Sequence, residues 1–123
     1  GLSAEEDLNE TPLVDNPRWL APEILAGNGH FTLPCDIYAL GVVFWEIVAR
    51  RLPFDKSDFV VELVHRILEG ERPSPASCQL ASFQRIYESC WDGNPLARPS
   101  IDQVVEMLRE CIQAREWEHP SPL

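Results

Sequence analysis

The stretch Asp36-Ile37-Tyr38-Ala39-Leu40-Gly41-Val42-Val43-Phe44-Trp45-Glu46-Ile47-Val48 decides the fold. Wound as a helix, it spreads Ile37, Leu40, Val43, Phe44, Trp45, Ile47 and Val48 around the whole circumference, with Glu46 as the one acid after the opening Asp36 and a single glycine at Gly41. A helix that is apolar on every side has no face for water and has to be enclosed by other protein. It falls short of the roughly 18 uninterrupted apolar residues that a bilayer requires, so it reads as a buried core helix. Asp36 at its start places a carboxylate where the first backbone amides lack partners, which predicts an N-cap.

Toward the C-terminus, Leu52-Pro53-Phe54 makes a turn, and Ser57 is placed to cap a helix whose apolar positions Val60, Leu63, Val64, Ile67 and Leu68 follow amphipathic spacing up to Gly70. Glu62, His65, Arg66 and Glu69 take its outer face. Residues 72–75 form a linker. Leu80, Phe83, Ile86, Tyr87 and Cys90 then predict another helix, ended by Gly93-Asn94-Pro95. Ser100 with Gln103 is a capping box, and Ile101, Val104, Val105, Leu108 and Ile112 supply the stripe of a final helix. Residues 116–123 carry prolines and are expected to fray. Toward the N-terminus, Pro22 suits the first turn of a short helix through Glu23, Ile24 and Leu25, stopped by Gly27-Asn28-Gly29. Residues 1–18 are polar and acidic, without helical or strand periodicity, and read as a mobile loop. With little strand signal and no repeat, the fold class is mainly α.

At 123 residues the chain is one domain at most, and its 45% hydrophobic content with four tryptophans is that of a packed protein. A formal charge of -10 opposes binding to nucleic acid or to an anionic membrane surface. Cys35, Cys78, Cys90 and Cys111 are widely spaced with no C-x-x-C pair, which suggests neither a zinc site nor a disulfide framework and fits reduced thiols inside a cell. No signal peptide heads the chain and no membrane insertion is expected. His30, His65 and His119 stand among unlike neighbours and form no Ser/His/Asp or Cys/His set.

Three blocks carry a further signal: residues 16–23 (Asn-Pro-Arg-Trp-Leu-Ala-Pro-Glu), residues 36–41 (Asp-Ile-Tyr-Ala-Leu-Gly) and residues 90–99 (Cys-Trp-Asp-Gly-Asn-Pro-Leu-Ala-Arg-Pro). In this order and at these separations they resemble the part of a protein kinase domain that follows the metal-binding Asp-Phe-Gly motif. The resemblance covers nearly everything from residue 1 to 112. It implies a partial large lobe, with the activation segment in residues 1–23, a helical subdomain in 24–112 and a tail in 113–123, and without the small β-rich lobe. The glycine loop, the strand lysine, the His-Arg-Asp loop with its asparagine, and the aspartate of the metal motif would all lie upstream. Gly1, which opens the chain where Met would open a gene product, matches the glycine of that metal motif, a hinge position. The chain therefore reads as a piece of a parent enzyme in which ATP and magnesium are bound elsewhere, none of them by this piece alone. Its partners are a protein substrate and the upstream half of the domain.

Residue by residue, the resemblance implies that Glu23 and Arg98 form a buried ion pair tying the end of the activation segment to the helices below; two separate surface charges are the alternative. It adds to Asp36 the task of supporting the catalytic loop. Asn16, Pro17, Arg18 and Trp19 match the loop that receives the substrate residue after the phosphorylated hydroxyl, although Asp15-Asn16 replaces the more usual Gly-Thr. The compact Pro17-Arg18-Trp19 spacing, Trp45-Glu46 and Cys90-Trp91 resemble serine/threonine kinases of the tyrosine-kinase-like group rather than true tyrosine kinases. Ser3 and Thr11 are candidate phosphorylation sites or simply exposed hydroxyls, and the acids near them can supply constitutive negative charge. Besides a kinase, the residues leave open a pseudokinase or scaffold that docks partners through the helix after Ser57, and an independent helical interaction domain.

Overall fold

The computed structural model describes residues 17–27, 31–57, 59–74 and 81–118, the last four by backbone alone. Among these residues lie five α-helices, α1 (Pro22–Leu25), α2 (Leu33–Ala49), α3 (Val60–Leu68), α4 (Ala81–Cys90) and α5 (Ile101–Glu118), with one 3-10 turn ahead of α1 at Pro17–Trp19 and another between α4 and α5 at Pro95–Ala97. Among the described residues there is no strand.

The central apolar helix, α2, buries Cys35, Ile37, Tyr38, Gly41, Val42 and Trp45, with α4 as its principal neighbour. Gly41 sets their separation: a Cβ there would stand 2.7 Å from the Cys90 Cβ and 2.9 Å from the Tyr87 carbonyl oxygen. Aromatic rings pack along the same seam, Phe44 on Phe83 (5.5 Å between centroids), Phe83 edge-on to Tyr87 (6.0 Å) and Tyr87 on Trp91 (5.1 Å). Only part of α2 is covered, however. Val43 is 40% exposed and Ile47 64%, so the enclosure that the sequence demands is one-sided within the described residues.

The ends of α2 correct the sequence reading. The helix begins at Leu33, one turn ahead of Asp36, because Pro34 is preorganised for the first turn and extended Thr32 stands before it. Asp36 is therefore not the cap: its amide donates to the Thr32 carbonyl, and its side chain is exposed on the first turn. At the other end Arg50 closes the helix in the left-handed region at φ 59°, its amide bonded to the Glu46 carbonyl.

Ser57 is likewise not a helix cap. Its amide closes a turn on the Phe54 carbonyl, its hydroxyl accepts from Arg66, and α3 starts only at Val60 after an extended Phe59. A buried hydroxyl facing a guanidinium outweighs the capping preference of its residue type. α3 buries Leu63 and Ile67 over Phe54, and it ends on Gly70 at φ 102° in a Schellman arrangement, with Gly70 bonded back to Ile67 and Glu71 to Arg66.

The capping box of α5 is formed in both directions: the Gln103 amide donates to Ser100 Oγ (3.2 Å) and the Ser100 amide to Gln103 Oε1 (2.8 Å). Its buried face differs from the expected stripe. Val104 and Cys111, with Met107 and Leu108 between them, pack on Ile37, Ile86 and Cys90, whereas Ile101, Val105 and Ile112 are exposed. The helix runs to Glu118.

Candidate functional site

Arg98 lies at the join of four segments. Preceded by the 3-10 turn Pro95–Ala97, which Asn94 caps by accepting from the Leu96 amide, its side chain points inward with no solvent exposure. One terminal nitrogen donates to Glu23 Oε2 (2.7 Å) and to the Pro34 carbonyl (3.0 Å), the other to Glu23 Oε1 (2.9 Å), and Nε to the Asp92 carbonyl (2.8 Å). The guanidinium thus holds α1, the first turn of α2 and the chain beyond α4 at fixed mutual distances. Two parallel bonds to one carboxylate exploit the fork geometry that lysine lacks.

Burial acts to raise the pKa of Glu23, but the Arg98 hydrogen bonds, a backbone amide, the Arg98 charge and the Cys35 thiol together outweigh it and hold the carboxyl below its ordinary 4.5. The Cys35 thiol donates to Glu23 Oε2 at 3.4 Å and lies 3.3 Å from the Thr32 hydroxyl, so the carboxylate is met from two sides.

Beneath the pair lies Tyr38, fully buried, with the Arg98 guanidinium 5.1 Å and that of Arg72 5.2 Å from its ring centroid. Burial pushes its phenol up to about 12, against the pull of both arginine charges, and its hydroxyl has no hydrogen-bond partner among the described residues. Arg72 donates to the carbonyls of Trp91 (3.0 Å), Ile67 (3.2 Å) and Glu71 (2.8 Å), clasping the end of α3 to the end of α4. Arg72 stands in the stretch that the sequence reads as a linker. Its one signal was a cation directly before Pro73, in a stretch otherwise read as a spacer.

The segment ahead of α1 is anchored by the side chains of its own turn. Pro17 is buried, Arg18 Nε donates to the Pro53 carbonyl (2.9 Å), and Trp19 Nε1 donates to Glu46 Oε1 (3.0 Å). The acid near the far end of α2, Glu46, thus serves as the acceptor for that indole. These donors point into the protein, so Arg18 and Trp19 shape the segment from below. Asp36 stands exposed at the near end of α2. Asn16, Gly1, Ser3 and Thr11 lie outside the described residues. Among those described, no three His, Cys, Asp or Glu side chains converge as a metal site, and no helix is long and apolar enough to cross a membrane.

The family model for protein tyrosine and serine/threonine kinases matches residues 2–108. In Dictyostelium discoideum, cyclic GMP-binding protein C is 37% identical over 99 residues, covering 77% of this chain and 4% of that protein. "Probable serine/threonine-protein kinase pats1" is 31% identical over 115 residues, covering 93% of this chain and 4% of that protein. "Dual specificity protein kinase shkD" is 30% identical over 108 residues, covering 87% of this chain and 14% of that protein. The chain therefore spans only a small part of the length of these relatives, and its helices are those of a kinase large lobe without the β-rich lobe. On the extent of the family match and the identity to these relatives, the chain belongs to the protein tyrosine and serine/threonine kinase family.

Proposed function

We propose that this chain is the substrate-presenting and bracing part of a protein kinase that transfers the γ-phosphoryl group of ATP to serine or threonine hydroxyls of protein substrates. The observation that carries the reading is the buried, two-bonded Arg98–Glu23 pair, which fixes the end of the segment bearing Pro17, Arg18 and Trp19 onto the helical body. In phosphoryl transfer, positioning and electrostatics do nearly all of the catalytic work, so a rigid floor under the substrate segment contributes directly to rate. Arg18 and Trp19 hold that floor through Pro53 and Glu46, and Asn16 and Pro17 shape the place of the residue after the acceptor hydroxyl. Asp36, exposed on α2, is assigned to support the catalytic loop of the parent enzyme.

ATP and magnesium belong to other residues of the parent, and this stretch alone is inactive. Gly1 serves as the metal-motif hinge, and Ser3 and Thr11 as hydroxyls whose phosphorylation orders the segment. Serine/threonine specificity rests on the Pro17-Arg18-Trp19 spacing and on the name of the pats1 relative. The intracellular setting rests on Cys35, Cys90 and Cys111 being thiols rather than disulfides.

A scaffold without catalysis is the second reading, favoured by the exposed Phe59 and Val61 at the start of α3. The deciding experiment incubates the full-length protein with labelled ATP, magnesium and peptide libraries. Label on serine or threonine supports the proposal; label on tyrosine alone overturns the specificity, and no label with partner binding lost in Val61→Glu supports the scaffold.

A further inference from the structure

In a chain of formal charge -10, one cavity of about 390 Å³ is lined by four cations, Arg51, Lys56, Arg66 and Arg72, against a single acid, Asp55. Trp45, Phe54 and Ser74 complete its wall. The cations are not equally committed. Arg66 is engaged by Glu71 and Ser57, and Arg72 by backbone carbonyls. Arg51 stands 3.8 Å from Asp55, with both side chains close to half exposed, a contact too long for a good hydrogen bond, and Lys56 is exposed.

The indole of Trp45 brings the parts together: its N–H donates to the Ser74 carbonyl (2.6 Å), while the Arg51 guanidinium lies 5.3 Å from its ring centroid. Ser74 is thereby pinned by its backbone at the wall of a cationic cavity with its residue exposed to solvent. In sequence it is followed by Pro75, the pattern taken by kinases that accept proline after the acceptor residue. Thr11 and Ser121 share that pattern, but neither is among the described residues.

We propose that Ser74 is a phosphorylation site and that the cavity walled by Arg51, Lys56 and Arg72 is the receptor for its phosphate. Ser74 Oγ bonds to the γ-phosphorus of ATP held by the modifying kinase, the bridging bond from that phosphorus to ADP breaks, ADP leaves, and the hydroxyl proton passes to that kinase's base. The product carries about -1.5 to -2 charges and three acceptor oxygens, which a guanidinium and an ammonium bond strongly. The effect is to fasten the connection after α3 to the connection between α2 and α3.

The test phosphorylates the full-length protein with a proline-directed kinase, maps the site by mass spectrometry and follows amide hydrogen exchange. Phosphate on Ser74 is expected, with exchange across residues 51–57 and 71–74 slowed about tenfold, as one net charge-assisted hydrogen bond provides. The slowing should vanish in the Arg51→Ala, Lys56→Ala double variant, whose exchange elsewhere reports that it is folded. A Ser74 that is not modified, or slowing that survives the double substitution, overturns the proposal. So does equal protection of the unmodified protein by inorganic phosphate, which would assign the cavity to an external anion.

Discussion

Arg98 and Glu23, 75 positions apart in sequence, meet in two parallel hydrogen bonds of 2.7 and 2.9 Å, with the arginine side chain wholly buried and the glutamate side chain 21% exposed. The arginine cannot shed its charge, and its remaining bonds go to backbone carbonyls that could not satisfy it alone. Removing either partner leaves the other buried and unpaired. Arg98→Ala should cost about 3–5 kcal/mol of stability, read by chemical denaturation, and should lower kinase activity of the parent protein with it. Arg98→Lys keeps the charge but loses the fork, and should remain clearly below the parent in both readouts.

The same pair sets an acid limit. Because the folded pKa of Glu23 is depressed, its stabilisation is fully present above the ordinary value of 4.5 and is lost as pH falls through the lower folded value. Denaturation midpoints measured from pH 7 downward should fall below about pH 4.5. Glu23→Gln should be less stable at neutral pH and should lack that part of the slope.

Gly41 allows α2 and α4 to approach. With a Cβ placed 2.7 Å from Cys90 and 2.9 Å from a backbone oxygen, neither neighbour can yield as a flexible chain end would. Gly41→Ala should therefore destabilise by about 1–3 kcal/mol despite its better helix propensity, measured as a lower denaturation midpoint.

Cys90, buried across from that glycine, has its thiol pushed by burial from 9.0 up to about 11. Thiolate is the reactive form, so alkylation of native Cys90 at mildly alkaline pH should be about a hundredfold or more slower than in the unfolded chain. Peptide mapping after timed iodoacetamide labelling checks this, and equal rates in both states would refute the packing described.

Much of this was legible in the sequence, for reasons that differ element by element. The Ser100–Gln103 box and the Gly70 stop are local chemistry, complete within a few residues, and the structure carries both. The start of α2 was misread because Pro34 and Asp36 are both good helix openers, and the one nearer the N-terminus won. Ser57 was misread because its long-range partner, Arg66, competed with its local role. The exposed Ile101 and Ile112 show why periodicity alone misplaces a helix face: Cys111 and Met107 fill the seam that the larger aliphatics were expected to fill. Arg72 was missed because its three carbonyl acceptors belong to helix ends that only the tertiary fold assembles. The Glu23 and Arg98 positions could be named because flanking motifs fixed both; their mutual geometry could not be read without the fold.

The most direct measurement is a double-mutant cycle on Glu23→Gln and Arg98→Ala in the full-length protein, read as phosphate transferred to a serine or threonine peptide. Each single substitution should depress kcat/KM, and the double variant should be little worse than either, giving a coupling of about 2–3 kcal/mol. Losses that add to within about 0.5 kcal/mol, or a parent protein that transfers no phosphate at all, would contradict the claim that this clasp braces a working kinase site.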